Sequence, residues 1–234
     1  MSVNARNRGF TLIELMVALV LGLVVVGGVM AVFMNTYQAN AQNIKAVRLN
    51  EELRAVMSLI TRDLRRAGAR DLAWQPSLLG TANPFANNTN WVLTRYDATV
   101  PPNSCALFAY DTDGNDAVDN VDRRGFRLRR DGSLQSVEMR RTGTACNGGG
   151  WEKITDENTM NVLDLSFTTT LDWPGSGGAA GSGVEVRSVI VTLRGATHTR
   201  SANPATLTAD DCTNIDVVCR QLVEKIRLRN DAVL

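Results

Sequence analysis

Hydrophobic side chains are distributed unevenly along the chain, and the densest run lies near the N-terminus. Residues 1–9 are polar and basic, whereas residues 10–34 contain a single charged side chain, Glu14. At about 1.5 Å per residue, a helix over 10–34 is about 37 Å long, enough to cross a hydrocarbon core about 30 Å thick. The pattern therefore predicts a membrane-spanning helix over residues 10–34.

The hydrophobic pattern beyond residue 34 is still helical but becomes amphipathic. Apolar residues recur three or four positions apart, as on one face of a helix: Leu49, Leu53, Val56, Ile60, Leu64 and Ala67. The intervening positions are mostly polar, and we expect the opposite face to carry Asn50, Glu51, Arg54, Ser58, Thr61, Arg62 and Arg65. Gly68 follows as a C-terminal stop. Residues 35–70 are thus predicted to extend the first helix, which makes one helix of nearly 60 residues.

The remaining residues, 71–234, are numerous enough for one globular head with its own core. Asp131-Gly132 predicts a tight hairpin, and the β-branched run Val189–Leu193 predicts a central strand. Residues 174–183 are rich in glycine and serine and predict a flexible loop. The fold class is therefore α+β, with an antiparallel β-sheet packed on the helix. The predicted strands are Trp91–Tyr96, Cys105–Tyr110, Gly125–Arg130, Ser133–Arg140, Leu163–Leu171, Val184–Leu193 and Gln221–Leu228.

The basic residues indicate the orientation of the membrane segment. Arg6 and Arg8 precede it, whereas the next basic residues, Lys45 and Arg48, lie well beyond it. The positive-inside rule then keeps residues 1–9 in the cytoplasm and places the head outside. The formal net charge of +1 includes both leader arginines, so a chain without the leader carries −1. Bulk charge therefore gives no reason to expect nucleic-acid binding.

All four cysteines lie in the exported head. An even number in an oxidising compartment predicts two disulfide bonds, for which three connectivities exist. We favour Cys212–Cys219 as a local loop and Cys105–Cys146 as a link between distant parts of the head. A zinc site is the alternative, but the sequence contains no Cys-x-x-Cys spacing.

An acidic segment at 111–122 has the spacing of a calcium-binding loop. Position 6 is Asp116 where an EF-hand has glycine, and position 12 is Asp122, which is shorter than the usual glutamate. The flanking segments are predicted strands instead of helices. Calcium is the one cofactor that the sequence suggests, and an acidic turn held by Asx hydrogen bonds is the alternative. The oxygen ligands would come from Asp111, Asp113, Asn115, the backbone carbonyl of Ala117, Asp119 and Asp122.

The border between the polar leader and the apolar segment carries a specific motif. Gly9-Phe-Thr-Leu-Ile-Glu14-Leu resembles the processing site of type IV pilins and type II secretion pseudopilins. The resemblance implies that a prepilin peptidase cuts between Gly9 and Phe10 and methylates the amine of Phe10. A secretory signal peptidase site is the alternative, with one candidate at Ala39-Asn40-Ala41.

Glu14 needs an explanation because a carboxylate in lipid is costly. Cleavage after Gly9 would create an ammonium group at Phe10, one helical turn away. In a bundle of packed copies, Glu14 of one subunit would pair with the amine of its neighbour, which makes Glu14 an assembly residue. The alternative is that Glu14 lies at the helix start and simply reaches the headgroups.

Later segments resemble the PilW type of minor pilin. They are Leu59–Gly68, the hairpin Phe126–Leu134 and the ending Ile226–Asn230. The resemblance implies a pilin fold and a minor subunit that primes pilus assembly at the tip and supports adhesion and twitching motility. It implies as partners the prepilin peptidase, other minor and major pilins and a tip adhesin. The implied location is the inner membrane with the head in the periplasm, and then the extracellular pilus.

Three other functions stay open. The J-type pseudopilin of type II secretion shares these features, and a singly anchored periplasmic binding or enzymatic domain would make Gly9 irrelevant. A DNA-binding competence pseudopilin is supported only by arginines within 123–130. We expect no enzyme, since the sole histidine, His198, has a polar surface context and lacks catalytic or metal-ligand spacing. The four tryptophans, expected in core or loop packing, are Trp74, Trp91, Trp151 and Trp173.

Overall fold

The computed structural model describes residues 10–71, 83–86, 91–132, 134–172, 186–198, 207–208, 210–214 and 217–228. The chain divides into two compact units, Met1–Ile44 and Lys45–Leu234. One helix, α1, runs over Leu12–Leu64 and is the one described helix that is long and apolar enough to cross a membrane. The predicted leader 1–9 and the predicted loop 174–183 lie outside the described residues.

Helix α1 ends earlier than the predicted boundary at residue 70. Its last residue is Leu64, and turns follow up to Gly68, which has a φ of 74°. A left-handed φ is the conformation that glycine adopts without strain, so Gly68 terminates the turn as the sequence predicts. The Gly68 N–H then donates a 2.8 Å hydrogen bond to the Ala109 carbonyl, which directs the chain towards the sheet.

The second unit contains two antiparallel sheets, where one was predicted. The first has the order β1-β2-β3-β4-β5 and the second the order β6-β7-β8. The central strand of the second sheet is β7, as the run Val189–Leu193 predicts. The strands are β1 Val92–Thr94, β2 Cys105–Ala109, β3 Arg123–Asp131, β4 Leu134–Arg140, β5 Trp151–Lys153, β6 Asn161–Asp172, β7 Val186–His198 and β8 Val217–Arg227.

Helix residues from Leu49 onward form one hydrophobic core with both sheets. All six predicted apolar positions of the stripe are buried: Leu49, Leu53, Val56, Ile60, Leu64 and Ala67. Several strands contribute alternate residues, including Phe126 and Leu128 from β3 and Val189, Val191 and Leu193 from β7. This period of two is what a strand with one buried face requires.

The helix meets the second sheet at Gly195 of β7. A Cβ atom placed on Gly195 would lie 3.0 Å from Leu53 Cδ2, 3.3 Å from Leu49 Cδ1 and 3.4 Å from Met160 Sδ. The absence of a side chain therefore makes room for two residues of the stripe. Nearby, the pairing of β6 with β7 shifts register between Val162 and Asp164.

Within the second unit, polar contacts also join α1 to the strands and loops. Glu52 accepts a 2.6 Å hydrogen bond from the Asp156 N–H and another of 2.6 Å from the Thr159 hydroxyl. Thr61 was expected on the solvent face, but it is buried and donates a 2.9 Å hydrogen bond to Glu224 of β8. The solvent-face prediction was wrong for Thr61 because β8 supplies a polar partner there.

The cysteines pair as Cys105–Cys146 and Cys212–Cys219. These are the two pairs favoured from the sequence. The first joins β2 to the loop before β5 and packs with Leu107 and Trp151. The second joins Cys212, just before β8, to Cys219 near the start of β8, so it fixes the start of that strand.

A buried arginine lies beside the first disulfide, on the face of the first sheet that does not contain Phe126. Arg127 is only 2% exposed, and its guanidinium lies 2.6 Å from the Glu138 carboxylate. It also lies over the rings of Tyr96 and Trp151, at 4.6 and 4.3 Å from their centroids. Aromatic rings and a loop cover this face, so Arg127 is buried although arginines are mostly exposed in folded proteins.

Candidate functional site

The start of helix α1 places the proposed processing residue next to a helix cap. Phe10 is non-helical and 84% exposed, and the helix begins two residues later. Thr11 precedes the first helical residue, and its hydroxyl accepts a 3.3 Å hydrogen bond from the Glu14 N–H. Threonine followed by glutamate three residues later is the sequence of a capping box. Gly9 lies outside the described residues.

Glu14 is therefore favourably placed for a reason that sequence reasoning missed. It is exposed in the first turn of α1, where a carboxylate interacts well with the positive end of the helix dipole. Capping by Thr11 supports the helix start but leaves the carboxylate of Glu14 available for an external cation. The Thr11-x-x-Glu14 spacing was the signal that could have revealed the cap.

The apolar residues that follow Glu14 form an exposed surface within the first unit. The helix turns in this part of the chain carry large hydrophobic side chains on all sides, and each is more than half exposed. A surface of this size and composition requires lipid or other protein helices around it. Examples spread along the segment are Leu12, Leu19, Val26, Phe33 and Tyr37.

The acidic loop lies between β2 and β3 and is folded by Asx-type hydrogen bonds. Asp116, at the position where an EF-hand has glycine, has a left-handed φ of 58°. Aspartate tolerates that conformation better than most residues. Its carboxylate pairs with the guanidinium of Arg70, and this pairing lowers the pKa of Asp116. Arg70 was not predicted as part of this site because it is 46 residues away in sequence.

The fold brings together three of the six proposed calcium ligands. One carboxylate oxygen from each of Asp111, Asp113 and Asp122 lies within 4.8 Å of the others. Asp111 and Asp122 are buried, and Asp113 is exposed. Clustered carboxylate oxygens are the donors that calcium prefers, so this donor set fits the ion. The Asp122 carboxylate also accepts hydrogen bonds of 2.8 Å from the Thr112 N–H and 3.1 Å from the Asp119 N–H.

The other three proposed ligands take part in hydrogen bonds at the rim of this cluster. The Asn115 side-chain amide donates to Asp113 at 2.9 Å and to Asp119 at 3.4 Å. The Asn115 side-chain oxygen accepts a 2.7 Å hydrogen bond from the Ala117 N–H. The loop is thus already held in shape by Asx turns, and a cation would add to an ordered structure.

His198 ends β7 and is half-buried, and its backbone carbonyl accepts a 3.1 Å hydrogen bond from Lys45. Trp91 packs on Phe108 with ring centroids 6.1 Å apart, in agreement with the packing expected for it. Trp74 and Trp173 lie outside the described residues. These residues form no common site in the described part of the chain.

Two family models match this chain, one over most of its length and one over its N-terminal residues. The family model described as "Prepilin peptidase-dependent protein B" matches residues 42–210. A second model, described as "Prokaryotic N-terminal methylation motif", matches residues 4–30. The chain is also similar to the solved type IV-like pilin TTHA1219 from Thermus thermophilus, with 12% identity, 79% of this chain and 99% of that chain covered, and a TM-score of 0.40. A search of curated proteins found no match.

Proposed function

The chain belongs to the family described as prepilin peptidase-dependent protein B, a type IV pilin-like family, and from that premise we propose that it is a minor pilin. Its role is to help prime assembly at the tip of a type IV pilus and to support adhesion and twitching motility. Prepilin peptidase would remove residues 1–9, and the apolar part of α1 would then pack among the helices of other pilins.

One observation carries this proposal, namely the junction at residues 9–14. The methylation-motif match spans the junction, and helix α1 begins within it, at Leu12, and continues with an exposed apolar surface. Such a surface suits both a membrane before assembly and a helix bundle afterwards. The apolar helix and the leader motif fit a membrane-anchored pilin.

Glu14 supplies the assembly step in this proposal. Thr11 caps the backbone N–H of Glu14, and the Glu14 side chain is exposed. Its carboxylate can therefore form an ion pair with the new Phe10 amine of a neighbouring subunit. An ion pair between helices removed from water is worth more than one at a surface. The Phe10 amine exists only after cleavage, so this ion pair would form only between processed subunits.

The test is to isolate filaments from cells and measure how much of the chain they contain. Glu14→Ala is expected to be processed normally but to be depleted from filaments, whereas Glu51→Ala, which changes an exposed glutamate further along α1, should incorporate normally. Normal incorporation of Glu14→Ala would contradict the pairing. A deletion strain distinguishes a type IV pilus from a type II secretion system. Loss of pili with intact secretion would support the pilus, and loss of secretion with intact pili would support a J-type pseudopilin.

Calcium binding at residues 111–122 is a second candidate function, favoured by the three carboxylates within 4.8 Å of one another. Asp111, Asp113 and Asp122 would hold the ion, and the ion would neutralise their mutual repulsion and brace the loop between β2 and β3. Calorimetric titration of the detergent-solubilised chain with calcium chloride should give binding at millimolar metal or below. Asp113→Asn should weaken it and Asp131→Asn, in the exposed hairpin turn, should not. No heat at millimolar calcium would exclude the site.

A further inference from the structure

A groove lies between the C-terminal half of helix α1 and strand β8, within the second unit. Its volume is about 760 Å³, within the range of about 300–1,000 Å³ common for binding sites. Met57, Leu222 and Val223 supply the apolar part of its lining. The lining residues are Arg54, Met57, Ser58, Thr61, Arg62, Arg65, Leu222, Val223 and Glu224.

One wall of the groove is an edge strand. In the described part of the chain, β8 pairs with β7 alone, over eleven register positions from Val217 to Arg227. Alternate backbone N–H and C=O groups of an edge strand face away from its sheet and can pair with an added strand. Val223, near the middle of β8, is 59% exposed and lies on the groove. The wall thus offers both backbone groups and an apolar side chain.

The opposite wall is strongly basic. Arg54 and Arg62 lie on one side of α1, and Arg65 lies in the turn directly after it, so all three line the same groove. The side chains of Arg62 and Arg65 are 71% and 54% exposed. Glu224 is the one acidic residue in the lining, and it lies 3.5 Å from Arg65. Arg62 also lies 3.7 Å from Asp63, which is outside the lining, so three guanidinium groups meet two carboxylates and the groove keeps an excess of positive charge.

We propose that this groove binds an acidic, extended segment of a neighbouring filament subunit, which adds as a strand along β8 and places its carboxylates against Arg54, Arg62 and Arg65. The proposal rests on the proposed function for the identity of the partner. Charge complementarity and the open strand edge select the occupant. A phosphate group would satisfy the arginines but would make no use of Leu222, Val223 or the backbone of β8.

The binding chemistry can be tested on the purified, detergent-solubilised chain with synthetic decapeptides. A decapeptide of alternating glutamate and valine presents carboxylates on one face and apolar groups on the other. We expect it to bind at least about tenfold more tightly than the glutamine–valine analogue, a difference of about 1.4 kcal/mol. Equal affinity for the two peptides, or no binding of either, would overturn the proposal, as would full displacement of the acidic peptide by inorganic phosphate.

Matched arginine variants locate the site. Arg54→Glu combined with Arg62→Glu should lose about tenfold or more of the affinity for the acidic peptide. Arg48→Glu, which changes an exposed arginine of the same helix outside the groove, should bind as the unmodified chain does. Circular dichroism of each variant checks that it is folded. Equal losses in both proteins would show non-specific attraction and contradict the proposal.

The partner is tested in cells by a photo-crosslinking residue at Val223, with one at Val121 as an exposed position outside the groove. We expect Val223, and not Val121, to cross-link to an acidic segment of another pilin-like subunit. A cross-link to lipid or to nucleic acid, or no cross-link, would overturn the proposed occupant. The mature N-terminus is determined in the same cells, so an unprocessed chain would refute the filament function while the peptide assay still decides the groove.

Discussion

Gly195→Ala is expected to destabilise the second unit because it inserts a methyl group where α1 meets β7. The new Cβ would lie 3.0 Å from Leu53 Cδ2 and 3.3 Å from Leu49 Cδ1, closer than an ordinary contact. Overpacking of this kind costs about 1–3 kcal/mol. Replacing glycine by alanine also restricts the unfolded chain and gains about 0.4–1 kcal/mol. From the middle of each range, about 2 and about 0.7 kcal/mol, the net expected loss is about 1.3 kcal/mol.

Leu53→Ala tests whether the same contact is responsible. By itself it should cost about 2–5 kcal/mol, since Leu53 is fully buried. It also removes the Cδ2 atom that Gly195→Ala would meet, so alanine at both positions should be more stable than the sum of the single effects predicts. We expect a favourable coupling of at least about 0.5 kcal/mol.

The assay is urea unfolding of the detergent-solubilised chain with intact disulfides, followed by tryptophan fluorescence. Gly149→Ala is the matched control, because a Cβ at Gly149 would meet nothing within 4 Å. The same restriction of the unfolded chain applies there without a steric cost, so Gly149→Ala should raise the free energy of unfolding by about 0.4–1 kcal/mol. Additive effects of Gly195→Ala and Leu53→Ala, or a neutral Gly195→Ala, would refute the described contact between α1 and β7.

Three further changes probe other parts of the second unit. Asp116→Asn should lower the thermal midpoint at neutral pH. The folded-state pKa of Asp116 lies below the ordinary 3.8, so the stabilisation by its carboxylate is present above pH 3.8 and is lost as the pH falls through the lower pKa. The thermal midpoints of the two proteins should therefore converge in strong acid. Glu138→Ala should cost about 3–5 kcal/mol in urea unfolding because it strands a buried guanidinium, whereas Arg129→Ala, which removes only a partly exposed 3.7 Å contact, should cost about 0–1 kcal/mol; similar costs would contradict the burial. Removing the 105–146 disulfide should cost about 4 kcal/mol and the 212–219 disulfide about 2.5 kcal/mol, and the reverse order would contradict the loop-entropy argument.

The sequence predicts much of this fold because its periodicities are long and regular. Leu49 and the five apolar residues that follow it at helical spacing are all buried against the sheets. The alternation of Phe126 and Leu128 with arginines likewise predicts β3, whose observed bounds are Arg123–Asp131. In both cases one residue type recurs at the period of its element, so local pattern alone identifies the buried face.

The features that sequence analysis missed depend on contacts between distant residues. Strand β5 has only three residues, too few to show a period, and it forms because β4 offers an edge to pair with. Arg127 is buried because Glu138, Tyr96 and Trp151 surround it, although strand arginines are ordinarily solvated. The division into two sheets also follows from tertiary pairing, which no short segment encodes.

The acidic loop shows the same division at a candidate site. The spacing from Asp111 to Asp122 predicts clustered carboxylate oxygens, and the fold brings three carboxylates together. It gives no sign of Arg70, which pairs with Asp116 from the segment after α1. Calcium binding stays a prediction, because the Asx hydrogen bonds in the loop order it without an ion.

The most direct test of the central claim is mass spectrometry of the mature N-terminus of the chain purified from its own cells. The filament-subunit proposal predicts a protein that begins at Phe10 and carries a methyl group on that amine. A chain that still begins at Met1, or one that begins at Gln42 after cleavage at Ala41, would contradict it. In either case Glu14 would have no neighbouring amine to pair with, and the apolar segment would be a simple anchor or a discarded signal.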